Sequence, residues 1–209
     1  MEKQKKNFFS AKNVTYLAVL TALVIVLQVF SGYFKIGATS LSFVLVPVVL
    51  GGMIMGVIPA TLLGLVFGLV VIFDALGGLD PFTLYLLGEQ PFFTVLLCLV
   101  KGAAAGAVSA LCFKLIAKKN KYAAVFVAAA VTPVVNTGIF VLGAFCMTGT
   151  ISAFLSGAGL DLTGLSPFYI VFVLCVGVNF FVEFAINLVC APAMYTVDNV
   201  VSKRIRVNG

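Results

Sequence analysis

The chain has 209 residues, of which 62% are hydrophobic and 10% are charged. Soluble domains carry about 25% charged residues, so this composition excludes a soluble globular fold and predicts an all-α integral membrane protein. The absence of histidine excludes His-based catalytic triads and most zinc sites. The net charge of +6 does not indicate nucleic-acid binding, because the cations cluster beside apolar segments.

The first predicted element is a membrane span over residues 13–33. A basic N-terminus precedes it, with Lys3, Lys5, Lys6 and Lys12, as in a secretory signal peptide. The apolar run is long, however, and no convincing small-x-small cleavage site follows it. We therefore predict that this segment is retained as a span.

The next element is an uncharged run of 38 residues that extends from residue 36 to residue 73. As a single helix it would be about 57 Å long, whereas the hydrocarbon core of a bilayer is about 30 Å thick. The run is therefore predicted to fold back as a hairpin of two short spans, 41–55 and 59–73. Glycine and proline residues mark the reversal, namely Gly51, Gly52, Gly56 and Pro59.

Three further spans are predicted after a connection at residues 74–90. They cover residues 91–116, 122–147 and 167–200, and the chain is interpreted as one membrane domain, 1–209. Of the 13 lysines and arginines, all but Lys35 and Lys101 fall in segments that six spans would leave on the inner side. The positive-inside rule thus predicts six transmembrane helices with cytoplasmic N- and C-termini, in a multi-pass protein of the cell membrane.

Two charged residues lie within predicted spans, Lys101 in the fourth and Glu183 in the sixth. A charge at mid-bilayer costs roughly 2.5–3.5 kcal/mol on insertion scales, so both side chains are expected to face the bundle interior or a wet cavity. They could bind a ligand or pair with one another as a structural bridge. Lys101 could also snorkel towards the interface.

Amide side chains accompany both charges. Asn179, Glu183 and Asn187 recur every four residues and therefore share one face of span six, which indicates either a cavity wall or hydrogen bonds between helices. In span five, Asn136 follows a helix-kinking proline and is expected at about the depth of Lys101. We therefore predict a cavity at this depth for a ligand that carries a carboxylate.

Small residues spaced four apart form helix faces that permit close helix contact. Such faces begin at Gly64 in span three and at Gly102 in span four, where packing inside the bundle is expected. In span one, Ala18 and Ala22 are predicted instead to contact a partner protein.

The chain resembles, over nearly its whole length, the substrate-binding S components of energy-coupling factor (ECF) transporters, which are vitamin-uptake members of the ABC superfamily. The resemblance rests on six spans with both ends inside and on the basic N-terminus that leads into LAVLTALVIVLQ. It also rests on the hairpin PVVLGGMIMGVIPATLLGLVFGL and on TPVVNTGIFVLG in span five. It implies a membrane-embedded, high-affinity binding subunit, without catalytic activity or cofactor, for a vitamin or related micronutrient. Pantothenate-like compounds, folate and riboflavin are the candidates.

The resemblance also implies a pocket near the outer face, covered by the loops between spans, and release of the ligand inside when the subunit topples in the membrane. The implied partners are a transmembrane coupling subunit (the T component), which docks on Ala18 and Ala22, and two cytoplasmic ATPases. By position, the lid covers residues 33–40 and includes Tyr33, Phe34 and Lys35. By depth and chemistry, the ligand-binding candidates are Tyr85, Glu89, Gln90, Lys101, Asn136, Asn179 and Glu183.

Two other classes of function remain open from the residues alone. A stand-alone secondary carrier or channel for a small organic solute would need a coupling-ion site, which Glu183 and Asn179 could supply. An intramembrane enzyme would need a nucleophile with a base, or a metal cluster, and the spans contain neither a histidine nor a paired carboxylate. The sequence therefore favours the binding subunit and least favours an enzyme.

Overall fold

The computed structural model describes the backbone of residues 11–36, 39–40 and 42–207 and the side chains of residues 13–34 and 42–201. Within these residues the regular secondary structure is helical apart from a two-residue antiparallel ladder between β1 (Lys35–Ile36) and β2 (Thr39–Ser40). The α-helices are α1 (Ala11–Ser31), α2 (Leu45–Met55), α3 (Val57–Leu76), α4 (Pro81–Glu89), α5 (Pro91–Ile116), α6 (Lys121–Cys146), α7 (Thr148–Gly157), α8 (Pro167–Tyr169) and α9 (Gly177–Val207).

Five segments of the described chain are helical, long and apolar enough to cross a membrane. They are Asn13–Ser31, Val57–Leu76, Pro91–Ile116, Lys121–Cys146 and Pro167–Val201. The remaining predicted span, 41–55, coincides with α2, which is apolar but has 11 residues. A helix that crosses a bilayer needs about 20 residues, so α2 is too short to span one unaided.

The reversal between α2 and α3 occurs at Gly56, not across the wider glycine-rich segment that the sequence indicated. Gly56 has a φ of 97°, which glycine adopts without steric cost. Gly51 and Gly52 are instead helical residues of α2, where a Cβ would meet the Leu63 side chain or Ala110. Their role is close packing. Pro59 lies in the first turn of α3, where its missing N–H removes no helical hydrogen bond.

Glycines also allow α3 and α5 to approach until their backbones touch. A Cβ on Gly64 would overlap the carbonyl oxygen of Gly102, and a Cβ on Gly102 would overlap that of Gly64. Gly106 stands in the same relation to the carbonyl oxygen of Ala60. Small residues therefore hold these two helices together, as small-residue faces do in membrane bundles.

Both long connections at one end of the bundle contain a short helix, where the sequence analysis expected only loops. In the first of them, α4 begins after Asp80, which caps it by accepting a hydrogen bond from the Thr83 N–H at 3.1 Å. The second contains α7, and the rings of Phe82 in α4 and Phe154 in α7 lie 5.3 Å apart. The two helices share an apolar cluster with neighbouring parts of α5 and α6.

The last membrane-length segment is not one regular helix. Its residues Ile170–Val176 form a π-helical stretch between α8 and α9. Gly177 then has φ 22° and ψ −119°, outside the helical range. Such π turns are frequent at functional sites, and here two residues of the π stretch, Cys175 and Val176, contribute to a cavity wall.

At the opposite end of the bundle, an ion pair between a half-buried lysine and a buried aspartate joins the start of α6 to the last third of α9. Lys121 Nζ lies 2.5 Å from Asp198 Oδ2 and donates a hydrogen bond to Asn199 Oδ1 at 2.6 Å. Lys118 and Lys119, in the preceding turn, are exposed. The two ends of the bundle therefore differ: one is basic, and the other carries α4, α7 and the cavity.

Candidate functional site

A cavity of about 70 Å³ lies among the helices near the end of the bundle that carries α4 and α7. This volume is enough for roughly five water molecules. Helices α1, α3, α5, α6 and α9 all contribute to its wall, together with Ser42 in the connection before α2, the first turn of α4 and the π-helical stretch. The polar side chains of the wall are Gln28, Ser42, Asp80, Thr83, Lys101, Asn136, Thr137, Asn179 and Glu183.

Lys101 brings a positive charge to this wall. Its Nζ lies 5.8 Å from the centre of the Phe67 ring and 5.4 Å from the centre of the Phe140 ring, distances at which a ring face attracts a cation. Among the described residues, no carboxylate oxygen lies within 4.0 Å of this ammonium group. The rings hold the side chain without neutralising it, so its charge is left to attract an anionic group.

Glu183 is buried and makes a different contact. Its Oε1 accepts a hydrogen bond from the Ser42 N–H at 2.9 Å, and the N–H of the next residue, Phe43, donates to Ser31 Oγ at 3.2 Å. These bonds tie the connection between α1 and α2 to α9 and to the end of α1. Within the described residues, the bridge between Lys101 and Glu183 that the sequence left open is not formed.

The three asparagines of the predicted polar faces have different surroundings. Asn136 and Asn179 are each 5% exposed and line the cavity. Asn187 is fully buried outside the wall and donates Nδ2–H to the carbonyl oxygen of Glu183 at 2.9 Å. In the part of the chain that the structure describes, Asn136 Oδ1 has no hydrogen-bond partner. An unsatisfied buried acceptor costs about 1–3 kcal/mol, so Asn136 favours a ligand or water that donates to it.

Gln28 belongs to the wall, although the sequence analysis did not single it out. It is 5% exposed, and its Nε2–H donates to Asp74 Oδ2 at 3.1 Å. Its Oε1 has no hydrogen-bond partner among the described residues. Asp74 is equally buried, at the end of α3, but does not line the cavity. A glutamine inside an apolar span was the available signal, because an amide in lipid requires a partner.

Asp80 and Thr83 also belong to the wall and were not predicted. Asp80 Oδ2 accepts a hydrogen bond from Thr83 Oγ1 at 2.6 Å, in addition to the backbone bond to its other oxygen. Both carboxylate oxygens are therefore engaged in capping α4. The sequence Asp-Pro-Phe-Thr at 80–83 was the signal, since Asp at the N-cap and Pro in the first helical position start a helix.

Three other ligand-binding candidates lie near α7, outside the cavity wall. The Tyr85 ring lies 5.5 Å from the Phe154 ring, Gln90 Nε2–H donates to Thr150 Oγ1 at 3.0 Å, and Glu89 is exposed. These three residues lie outside the wall because the segment Pro81–Glu89 is a helix and not a loop. Its first turn lines the cavity, and its C-terminal end lies against α7.

Of the predicted lid, the two residues whose side chains the structure describes, Tyr33 and Phe34, are also outside the wall. Tyr33 is 71% exposed, and the Phe34 ring packs 4.9 Å from the Phe30 ring and 6.1 Å from the Phe43 ring. The backbone of Lys35 belongs to β1, whereas its side chain, the side chains of the other lid residues to 40, and residues 37 and 38 altogether lie outside what the structure describes.

Ala18 and Ala22, the predicted partner contacts, are both exposed on α1. Val19 and Val26 beside them are 61% and 63% exposed, so this helix presents an apolar face that the rest of the bundle does not cover. In lipid such a face can contact either acyl chains or another protein.

One family model matches the chain, over residues 12–195, and it describes the substrate-specific component of ECF transporters. The match includes every residue of the cavity wall. The family is a family of transporter binding components, not of enzymes. No curated protein and no solved structure matched the chain.

Proposed function

The chain belongs to the family of substrate-specific components of ECF transporters and is a multi-pass membrane protein, and on this premise we propose that it is the high-affinity binding subunit of an ABC-type uptake system. Its substrate would be a vitamin or related micronutrient with a carboxylate group. A transmembrane coupling subunit and two cytoplasmic ATPases would be its partners, and the cavity beside α4 and α7 would be the binding site.

The observation that carries this proposal is the environment of Lys101. A lysine within an apolar span is costly, and here its ammonium group lies between the rings of Phe67 and Phe140 at the cavity, with no ion pair to a carboxylate of the described chain within 4.0 Å. A ligand carboxylate would supply the missing negative charge. A charge-assisted hydrogen bond of this kind contributes about 1.5–3 kcal/mol.

The experiment is a binding titration of Lys101→Met, with the acid that mass spectrometry identifies among the small molecules released from the denatured protein. We expect the affinity to fall at least about tenfold, the equivalent of 1.4 kcal/mol. The unfolding temperature should change little, because this lysine forms no ion pair within 4.0 Å with a carboxylate of the described chain. Lys114→Met is the matched control, since Lys114 lies on the same helix and is exposed.

Three results would contradict the proposal. An unchanged affinity in Lys101→Met would remove Lys101 from the site. A strong loss of stability that Glu183→Gln restores would instead indicate a structural pair of the two residues. Ion-dependent uptake by the chain alone, without coupling subunit or ATPases, would favour the carrier alternative.

We further propose six spans with both termini in the cytoplasm, α2 being a short span that tilting or local thinning of the bilayer accommodates. The support is the basic end of the bundle, because lysines and arginines are retained on the cytoplasmic side. The cavity would then face the outside.

This topology predicts which introduced cysteines a membrane-impermeant thiol reagent can reach in intact cells. Lys119→Cys, at the basic end, should remain unlabelled until the cells are opened. Ser156→Cys, at the exposed end of α7, should be labelled at once, above the background of the native cysteines. Labelling of position 119 in intact cells would refute this orientation.

A further inference from the structure

Gln28 and Asp74 form a buried hydrogen-bonded pair at one side of the cavity, in which Gln28 is the donor and Asp74 the acceptor. A carboxylate accepts hydrogen bonds and donates none, so it is the amide nitrogen of Gln28 that faces Asp74, at 3.1 Å from Oδ2. Turning the amide over would bring two acceptor oxygens together. Asp74 therefore fixes the assignment of the two amide atoms, which many buried glutamines leave open.

The consequence concerns the carbonyl oxygen of Gln28. Gln28 lines the cavity, its amide nitrogen is engaged by Asp74, and its Oε1 is buried with no hydrogen-bond partner within the described chain. Asn136 Oδ1, in the wall on α6, is in the same condition. Both are buried acceptors that require a donor, and Lys101 is the cationic donor of the same wall.

We propose that the cavity selects an acid that also carries hydroxyl or N–H donors, with the carboxylate at Lys101 and a donor at Gln28 Oε1. Asp74 is a positioning residue. It does not line the cavity, but its hydrogen bond to Gln28 Nε2 leaves Gln28 Oε1 as the acceptor for a ligand. This inference rests on the proposed function, and it adds hydrogen-bond donors to the carboxylate that the proposed function requires of the ligand. An acid without donors would leave the buried acceptors unsatisfied, which is the strongest basis for rejecting an analogue.

The test compares two probes that share a carboxylate. Pantothenate carries hydroxyl and amide N–H donors, and its analogue with the hydroxyl groups replaced by hydrogen and the amide nitrogen methylated carries none. We expect the wild-type protein to bind pantothenate about tenfold more tightly, since a neutral hydrogen bond contributes up to roughly that factor. The measured quantity is the ratio of the two dissociation constants.

Asp74→Asn should then reduce this ratio about tenfold, because an asparagine can donate to Gln28 and allow its amide to turn over. A merely structural role of Asp74 would weaken both probes by the same factor and leave the ratio intact. Asp161→Asn is the matched control, since Asp161 is exposed and remote from the wall. Gln28→Met, which removes the amide and keeps the length, should lower the ratio as well, and it keeps the test decisive if Asp74→Asn does not fold.

Equal affinities of the wild-type protein for the two probes would overturn the inference, as would a ratio that neither variant changes, or no binding of either probe. A titration of Lys101→Met in the same experiment distinguishes a failure of this inference from a failure of the proposed function. If this variant loses pantothenate while the ratio never depends on Asp74 or Gln28, the proposed function stands and the inference fails. If no acid binds and no coupling subunit co-purifies, both fail.

Discussion

Replacing Ala18 and Ala22 together with tryptophan is expected to abolish co-purification of the coupling subunit and its ATPases while leaving ligand affinity near the wild-type value. Both alanines are exposed on α1 and point away from the bundle. Two helices in lipid associate through close backbone approach at small residues, and two indole rings would hold the partner helix away. The measurement is affinity purification of the tagged chain followed by identification of the retained subunits.

A single tryptophan on another exposed alanine provides the control. Ala185, on α9, is exposed in the same way, and Ala185→Trp should retain the partners. If the double variant on α1 still co-purifies with them, the interface lies elsewhere. If it loses ligand binding as well, the substitutions have disturbed Gln28 further along α1, and the two roles of that helix are not separable.

The second large effect concerns the contact between α3 and α5. Gly64→Ala should lower the unfolding temperature in detergent and the yield of monodisperse protein, because the new methyl group would overlap the Gly102 carbonyl oxygen. No side-chain rotation can relieve a collision with backbone, so the helices must separate. Overpacking of this kind costs about 1–3 kcal/mol, and occasionally more.

Gly138→Ala is the matched control for this substitution. Gly138 is an exposed helical glycine of α6, and a Cβ there meets no atom within 4 Å. Since glycine within a helix is less favourable than alanine by about 0.5–1 kcal/mol, this variant should be as stable as the wild type or slightly more stable. Equal melting of the two alanine variants would refute the tight backbone contact.

The cost of burying polar groups in lipid made part of the candidate site predictable from the sequence. Lys101, Asn136, Asn179 and Glu183 attract attention because each is expensive within an apolar helix, and all four line one cavity. Their common location agrees with the similar depths expected for Lys101 and Asn136. The family resemblance also followed from sequence alone, because span pattern and charge distribution are one-dimensional properties.

Other residues of the wall depend on contacts between segments that are distant in sequence. Gln28 is visible in the sequence as an amide within an apolar span, but its partner Asp74 lies 46 positions later. Ser42 looks like an ordinary loop residue until its N–H meets Glu183. Conversely, Tyr85, Glu89 and Gln90 seemed suitable in a loop, but α4 directs them towards α7. Asp80 is the exception among the unpredicted wall residues, because an aspartate followed by proline is a local signal for the start of a helix.

The volume of the cavity has a kinetic meaning. Pockets for small molecules commonly measure about 300–1,000 Å³, several times the 70 Å³ found here, so a vitamin-sized guest requires the wall to move first. The apparent dissociation constant then equals the intrinsic one divided by the fraction of molecules in the expanded state. At high ligand concentration the observed rate of binding would level off at the rate at which the cavity expands. Dissociation would also require the cavity to expand. A guest once enclosed would thus have a long residence time, set by the protein's own fluctuation.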